Sequence, residues 1–437
     1  MTLTRDLIRY INNKPVEQDD LHRAALFTLD AVANALAGRR TEPGKKLQEW
    51  GCEQGGDVGR HALVFGGLTH ILETDDLHRA SVTHPGCVVV PAAFSLAQHR
   101  GYSGLEVLHS VLAGFEAMCR IGMAVGGEHY KVWHNTATCG PFGSAMAAAQ
   151  LLSLSEDQSV YALGNAGTQS AGLWEFLDTG AMSKHLHAGR AAEAGIVAAQ
   201  LAAHDFTGPP AILEGDKGFF RALCPDPNPS AVLSAPESPW QLTVTSIKPW
   251  PSCRHTHPGI DAALELRALI NGRAIESVQV EAYQAALDVC NRPLPTSEYE
   301  AKFSLHHCVA AALGLPDVDF SAFDDGAREQ LADLRSKVSI AATEPWVSAY
   351  PDAWGSRVTV VLADGNALTA QRTFARGDPE LPLTDAQMIT KARMLLAYAG
   401  LGEDEADRLI AQVLAMSDAE SGSLAVSTVC GYLGLEL

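Results

Sequence analysis

The feature that most constrains this chain is a change of texture near Leu242 that reverses near Thr384. Before it, apolar residues recur at helical spacing. Leu21 to Leu36 keeps that spacing up to Gly38, a plausible stop signal, and Leu105 to Met123 repeats it. Pro141–Leu154 and Ala191–Ala203 are rich in alanine and glycine, which predicts central helices whose backbones approach closely. Ser155 with Gln158 reads as a capping box opening a further helix. After the change, Leu242–Ile247, Val278–Ala282 and Lys337–Ala341 alternate in the manner of half-buried strands. Arg357–Leu362, then Asp364-Gly365, then Ala367–Thr373 predicts a hairpin with a tight turn. At Thr384, with Gln387 three residues on, a second capping box opens helices that run to about Met416. At 437 residues the chain is too long for one small core. The expected fold is therefore mainly α: a large all-helical domain of residues 1–242 plus 384–437, built from both chain ends, with a smaller α+β domain of residues 243–383 inserted.

A formal net charge of -19 and the lack of a basic stripe argue against nucleic acid and an anionic membrane surface as partners. No uninterrupted apolar run approaches the roughly 20 residues of a membrane span, and Met1-Thr-Leu-Thr-Arg-Asp lacks the pattern of a secretory signal. The nine cysteines are scattered and never spaced as C-x-x-C. That fits reduced thiols in a cytoplasmic protein better than a disulfide frame or a zinc site.

Five short segments carry chemistry. Glu73-Thr-Asp75-Asp76-Leu-His78 through His84-Pro85-Gly86 packs three carboxylates and two imidazoles together. A carboxylate fixes the tautomer of a neighbouring histidine and raises its basicity, as a general acid or base near neutral pH requires. The same residues could form a solvated, capped helix end closed by His84, and Asp75, Asp76, His78 and His84 could bind metal, though no defined ligand spacing is matched. Trp133-His134 stands before Gly140-Pro141, which reads as the opening of a helix whose free N–H groups suit a carboxylate, although taken alone a loop whose His134 only caps its neighbour explains it better. Met182–Arg190 gathers Lys184, His185, His187 and Arg190 just before an alanine-rich helix, a basic knot fit for a substrate with several carboxylates. Lys248–Pro258, with Arg254, is a second such knot in a proline-stiffened loop at the predicted domain boundary. His307, in Phe303–Cys308, either faces a pocket or caps the apolar helix that follows.

In this order the segments resemble the MmgE/PrpD family. The matching stretches are Asp75-Asp76-x-His78, His84-Pro85-Gly86, His134-x-Thr-Ala-Thr-x-Gly140-Pro-Phe-Gly143 and Ser183-Lys184-x-Leu-His187-x-Gly189-Arg190. Lys248-Pro-x-Pro251-x-Cys253-Arg254 and Lys302-Phe-Ser-Leu305 complete them. The resemblance implies that the smaller domain is a lid, that the protein is a homodimer, and that it works without metal or organic cofactor. The family's activities include dehydration of 2-methylcitrate, decarboxylation of cis-aconitate and epimerisation of iminodisuccinate. Carried over residue by residue, it makes His84 and His134 site histidines, Glu73 a site carboxylate, and Lys184 and Lys248 pocket lysines. The chain departs from the pattern with Glu73 for aspartate, Leu77 for threonine, Asn135 for proline and His307 for a tyrosine.

The expectation is a cofactor-independent lyase, of dehydratase or decarboxylase type, acting on a small di- or tricarboxylate. Lys184, Lys248 and Arg254, with Arg190 and His187, would hold carboxylates. His84 would move a proton at carbon, oriented by Asp75 or Asp76, and His134 or His307 would handle a second one. The alternatives are an epimerase of a dicarboxylate and a non-catalytic binding protein derived from the family.

Overall fold

The computed structural model describes residues 2–53, 56–418 and 422–434. The chain divides into two compact units, Met1–Ser246 with Thr384–Leu437, and Ile247–Leu383.

The first unit is helical. Its helices begin with Leu3–Asn13 (α1), Gln18–Gly38 (α2), Glu42–Glu53 (α3), Val58–His70 (α4) and Gly86–Arg100 (α5). Gly104–Ala124 (α6), the short Gly127–Tyr130 (α7), Asn135–Leu151 (α8), Glu156–Gly167 (α9) and Ser183–Ala203 (α10) follow. Both predicted capping boxes form, Ser155 with Gln158 and Thr384 with Gln387. From the other chain end, helix Asp385–Ala399 packs on α2, where Lys391 Nζ lies 2.5 Å from Asp30 Oδ1. Helix α6 is long and apolar enough to cross a membrane by composition alone, yet 89% of that stretch is buried inside the protein, as in a core helix.

Small residues set the crossings that matter for the site. A Cβ on Gly189 would stand 2.2 Å from the Leu63 carbonyl oxygen, and one on Gly195 would stand 2.0 Å from Ser144 Oγ. Only glycine lets α10 lie against both α4 and α8 at that distance.

The structure corrects three local expectations in this unit and bears out a fourth. Helix α8 starts at Asn135, so Pro141 lies inside it rather than opening it. The Lys184–Arg190 segment forms the first turns of α10 and does not precede that helix. Gly38 ends α2 as expected, and its lack of a Cβ also lets it pack on Leu68. Leu242–Ser246 is turn rather than strand, with Ser246 making a single antiparallel bridge to Leu77.

The second unit holds a four-stranded sheet of Ile275–Ala282 (β1), Val338–Ala342 (β2), Ser356–Leu362 (β3) and Ala367–Arg372 (β4), in the order β2-β1-β3-β4. β1 pairs parallel with β2 and antiparallel with β3, and β3–β4 is the predicted hairpin. Strict alternation puts Val358, Val360 and Leu362 on one buried face. There they join Val278 and Val280 in a core with Ile260 and Leu266 of helix His257–Ile270 and Val309 of helix Leu305–Gly314. The mainly α class holds, with a single small sheet among the described residues.

Candidate active site

The site grows from the connection between α4 and α5, residues 71–85, which is buried: Glu73 is 3% exposed, Asp75 1% and Asp76 3%. A solvated helix end is therefore the wrong picture of it. Polar groups from several helices anchor this buried backbone, as the cost of unpaired buried groups demands. Lys391 Nζ donates to the Thr74 carbonyl at 2.6 Å, and the Thr74 hydroxyl donates to Asn34 of α2. Asn135 Nδ2 donates to the Ser81 carbonyl at 2.8 Å, and the Thr136 hydroxyl accepts from the His84 N–H at 3.0 Å. Glu73 takes φ 62°, a left-handed conformation that a side chain rarely adopts, and its carboxylate accepts from Lys184 Nζ of α10. That pair joins residues 111 positions apart in the sequence.

Within this frame three ligating groups meet: His70 at the end of α4, Asp75 and His84, whose side-chain N and O atoms lie within 4.8 Å of one another. Asp75 Oδ2 lies 2.6 Å from His70 Nδ1 and 3.5 Å from His84 Nδ1. His84 Nδ1 donates to the Asp76 carbonyl at 2.5 Å, which fixes its tautomer and leaves Nε2 with the lone pair. The two nitrogens facing Asp75 are thus engaged in hydrogen bonds, an arrangement of acid–base groups around one carboxylate.

Asp76 orients His84 through its backbone carbonyl, a correction to the expectation that its carboxylate would do so. The Asp76 carboxylate instead accepts from Gly86 N–H at the start of α5, at 3.1 and 3.0 Å. Burial, with Asp75 and Asp30 nearby, raises its pKa well above the carboxylate range. His78 also points away from the cluster. Its Nδ1 lies 2.8 Å from Ser81 Oγ and its Nε2 3.0 Å from Gln241 Oε1, so it ties the connection to Gln241, and burial pushes its pKa down to about 4. The metal quartet Asp75, Asp76, His78 and His84 is therefore not assembled.

His134 stands at the N-terminal cap position of α8 without a side-chain capping bond. Its ring stacks on His70 with centroids 5.7 Å apart, and its Nδ1 lies 3.3 Å from His187 Nδ1. Burial first, then the neighbouring His70 and Lys184, lowers its pKa well below 6.5. His187 is held at about 4 and His185 at about 3, burial being the main cause for both. These imidazoles are neutral at physiological pH. Arg190 lies on the exposed side of α10, paired with Glu193, and the structure does not bring it to Glu73.

Lys248, Arg254 and His307 belong to the second unit. Lys248 is 2% exposed, and Arg254 is buried against Asp378. Arg254 Nη1 is a buried donor with no hydrogen-bond partner among the described residues, as suits an anion site. His307 does not read as a proton carrier. Its Nε2 lies 2.8 Å from the Ala322 carbonyl, its Nδ1 lies 3.4 Å from Arg335 Nη1, and burial lowers its pKa to about 4. Ser304, not His307, caps the helix through the His307 N–H.

Sequence reasoning missed His70 and Gln241. His70 sits three residues before Glu73 and reads as the last residue of an apolar helical run. Gln241 carries no local signal.

A depressed histidine pKa ties stability to pH. His78 and His307 titrate near 4 in the fold and near an ordinary 6.5 when unfolded. Between those values the unfolded chain binds more protons, so stability falls as pH falls. Each contributes up to about 1.4 kcal/mol per pH unit in that window. Asp76 acts in the opposite sense, because a raised carboxylate pKa favours the fold at low pH and loses that contribution as pH rises through the folded value. Two histidines outweigh one carboxylate here, so the urea midpoint is expected to drop between about pH 7 and about pH 5, and replacing His78 by Gln should reduce the drop.

This fold and this site define a family. A model of the MmgE/PrpD N-terminal domain matches residues 5–231, and one of the MmgE/PrpD C-terminal domain matches residues 250–416; the chain belongs to the MmgE/PrpD family. Among curated proteins it is similar to cis-aconitate decarboxylase of Aspergillus terreus, 27% identical over 436 residues, covering 89% of this chain and 87% of that one. It is also 27% identical over 385 residues to cis-aconitate decarboxylase of Homo sapiens, covering 85% and 79%. A cis-aconitate decarboxylase-like protein, oryM, of Aspergillus oryzae is 25% identical, covering 99% and 98%. Family and relatives indicate an enzyme of the MmgE/PrpD type, with a decarboxylase- or dehydratase-type function.

Proposed function

We propose that this protein is a lyase that moves a proton at a carbon next to a carboxylate of a small di- or tricarboxylate. The observation that carries the reading is the buried Lys184–Glu73 pair at the same connection that holds His84 against Asp75 and the Asp76 carbonyl. A buried ammonium group stabilises a substrate carboxylate and the enolate-like charge that spreads onto it when a neighbouring C–H proton leaves. His84 Nε2 is the atom with the lone pair to take that proton, or to return one once protonated. His134, kept neutral, serves a second proton from its own position beside His70. If that proton leaves and hydroxide departs from the adjacent carbon, the result is dehydration. In decarboxylation the C–CO2 bond breaks instead, its electron pair forms the stabilised carbanion, and protonated His84 donates a proton to carbon. Return of the proton to the opposite face would be epimerisation, a second reading that two separately held imidazoles favour. Lys248 and Arg254 are assigned to substrate carboxylates from within their own unit, on the buried unpartnered Arg254 Nη1.

Incubation with citrate, 2-methylcitrate, cis-aconitate and iminodisuccinate, followed by NMR, tests this. Loss of water or carbon dioxide from one of them is expected. Inversion without loss would move the assignment to the epimerase, and four unchanged acids would overturn both.

A further inference from the structure

Where α2 ends, a pocket of about 320 Å³ opens against α3 and α4 of the first unit. Its size stands at the small end of the range for ligand sites, roughly 300–1,000 Å³. Two guanidinium groups line it, Arg39 and Arg60, together with His61, and no aspartate or glutamate does among the described residues. An adjoining pocket of about 300 Å³ shares Arg39 and Gln48, adds Arg40, and is likewise lined by no described acid. A chain with 51 acidic and 32 basic residues does not gather three arginines this way by average composition. Neither Arg39 nor Arg60 has a carboxylate partner among the described residues, and neutral groups hold them instead. Arg39 Nη1 donates to the Tyr432 carbonyl, and Gln48, with its amide oxygen turned to Arg39, accepts from Nε at 2.6 Å and Nη2 at 3.2 Å. The Arg60 guanidinium lies 4.0 Å over the Trp50 ring, and its buried Nε has no hydrogen-bond partner among the described residues. Two acids flank the pocket in sequence. Glu53 is exposed, and Asp57 caps α4 by accepting the Arg60 N–H at 2.9 Å. Both arginines are half-buried, and burying a cation without a counter-ion costs free energy that a bound anion recovers. Oriented guanidinium forks match the oxygens of a carboxylate or a phosphate.

We infer that this pocket is a binding site for a small oxyanion with two or more negative charges, a phosphate or a polycarboxylate, held between Arg39 and Arg60. The inference goes beyond the lyase reading and does not depend on it, since neither arginine belongs to the cluster around His84. Cys52 supplies a probe within the site. It lines the pocket and is exposed, whereas the other eight cysteines are buried.

The test alkylates the full-length protein at low ionic strength with iodoacetate and, separately, with iodoacetamide, and follows Cys52 by peptide mass spectrometry. Relative to a small free thiol, Cys52 is expected to favour the anionic reagent roughly fivefold, the worth of one facing charge about 4 Å away in water. The net charge of -19 would by itself give the opposite preference. Inorganic phosphate or citrate should protect Cys52 from iodoacetamide where chloride at equal ionic strength does not, and whichever protects at lower concentration identifies the anion class. Arg60→Gln removes one fork and should weaken that protection roughly ten- to a hundredfold. Gln48→Glu sets a carboxylate against Arg39 while keeping both arginines, so it should weaken protection without loss of fold. A reagent preference no higher than that of the free thiol would overturn the inference. So would protection by neither anion, equal protection by chloride, or protection that both variants preserve.

Discussion

Replacing His84 by Asn lowers turnover roughly a hundred- to ten-thousand-fold, the range that loss of a positioned acid–base group produces. Asparagine keeps an N–H donor for the Asp76 carbonyl, the bond that holds the His84 ring, but has no atom that can take a proton at neutral pH. The His84 side chain is 13% exposed and makes its described bonds at the edge of the buried connection, so the melting temperature should move little. Steady-state kinetics on the substrate found by NMR, beside a thermal melt, separates the two effects. An unchanged kcat would remove His84 from the chemistry, whatever the melt shows.

Replacing Lys184 by Met has a double effect. In the proposed reaction it removes the cation beside the substrate carboxylate, and loss of one such stabilising group costs roughly a hundred- to a thousandfold in kcat. In the fold it leaves the Glu73 carboxylate, whose side chain is 4% exposed, without its buried ammonium partner. Breaking a buried pair from one side costs about 3–5 kcal/mol, much of it the desolvation of the charge left behind. The double variant Lys184→Met/Glu73→Gln should therefore regain most of the stability and none of the activity. Urea melts and kinetics on the single and double variants check this. Activity that returned with stability would show that Lys184 is structural only.

How much of this was legible in the sequence varies by element, for physical reasons. The β3–β4 hairpin was readable because one buried face and one exposed face imprint a period of two, and Asp364-Gly365 supplies the turn. The alternation of Leu242–Ile247 has another origin. Leu242 is buried from within a turn, and Ile247, outside any strand, is buried with its N–H bonding singly to the Gly377 carbonyl. Pro141 misled because proline usually marks a helix start, whereas α8 has already run from Asn135 when it reaches it. The clustering of Glu73, Asp75 and His84 was visible as density of ionisable groups. Their partners were not, since Lys184 reaches Glu73 only where glycine lets α10 press on α4, and His70 hides in a helix that reads as core. His307, promising by its place in a motif, is consumed by the core of its own unit.

His84 is proposed to exchange a proton with a substrate carbon. Running the reaction in heavy water and reading deuterium at the carbon next to the carboxylate by NMR tests it directly. Solvent deuterium is expected at that carbon, in product or in recovered substrate, with the wild-type protein and almost none with His84→Asn. Decarboxylation or inversion that leaves that carbon free of deuterium, or the same incorporation in both proteins, would contradict it.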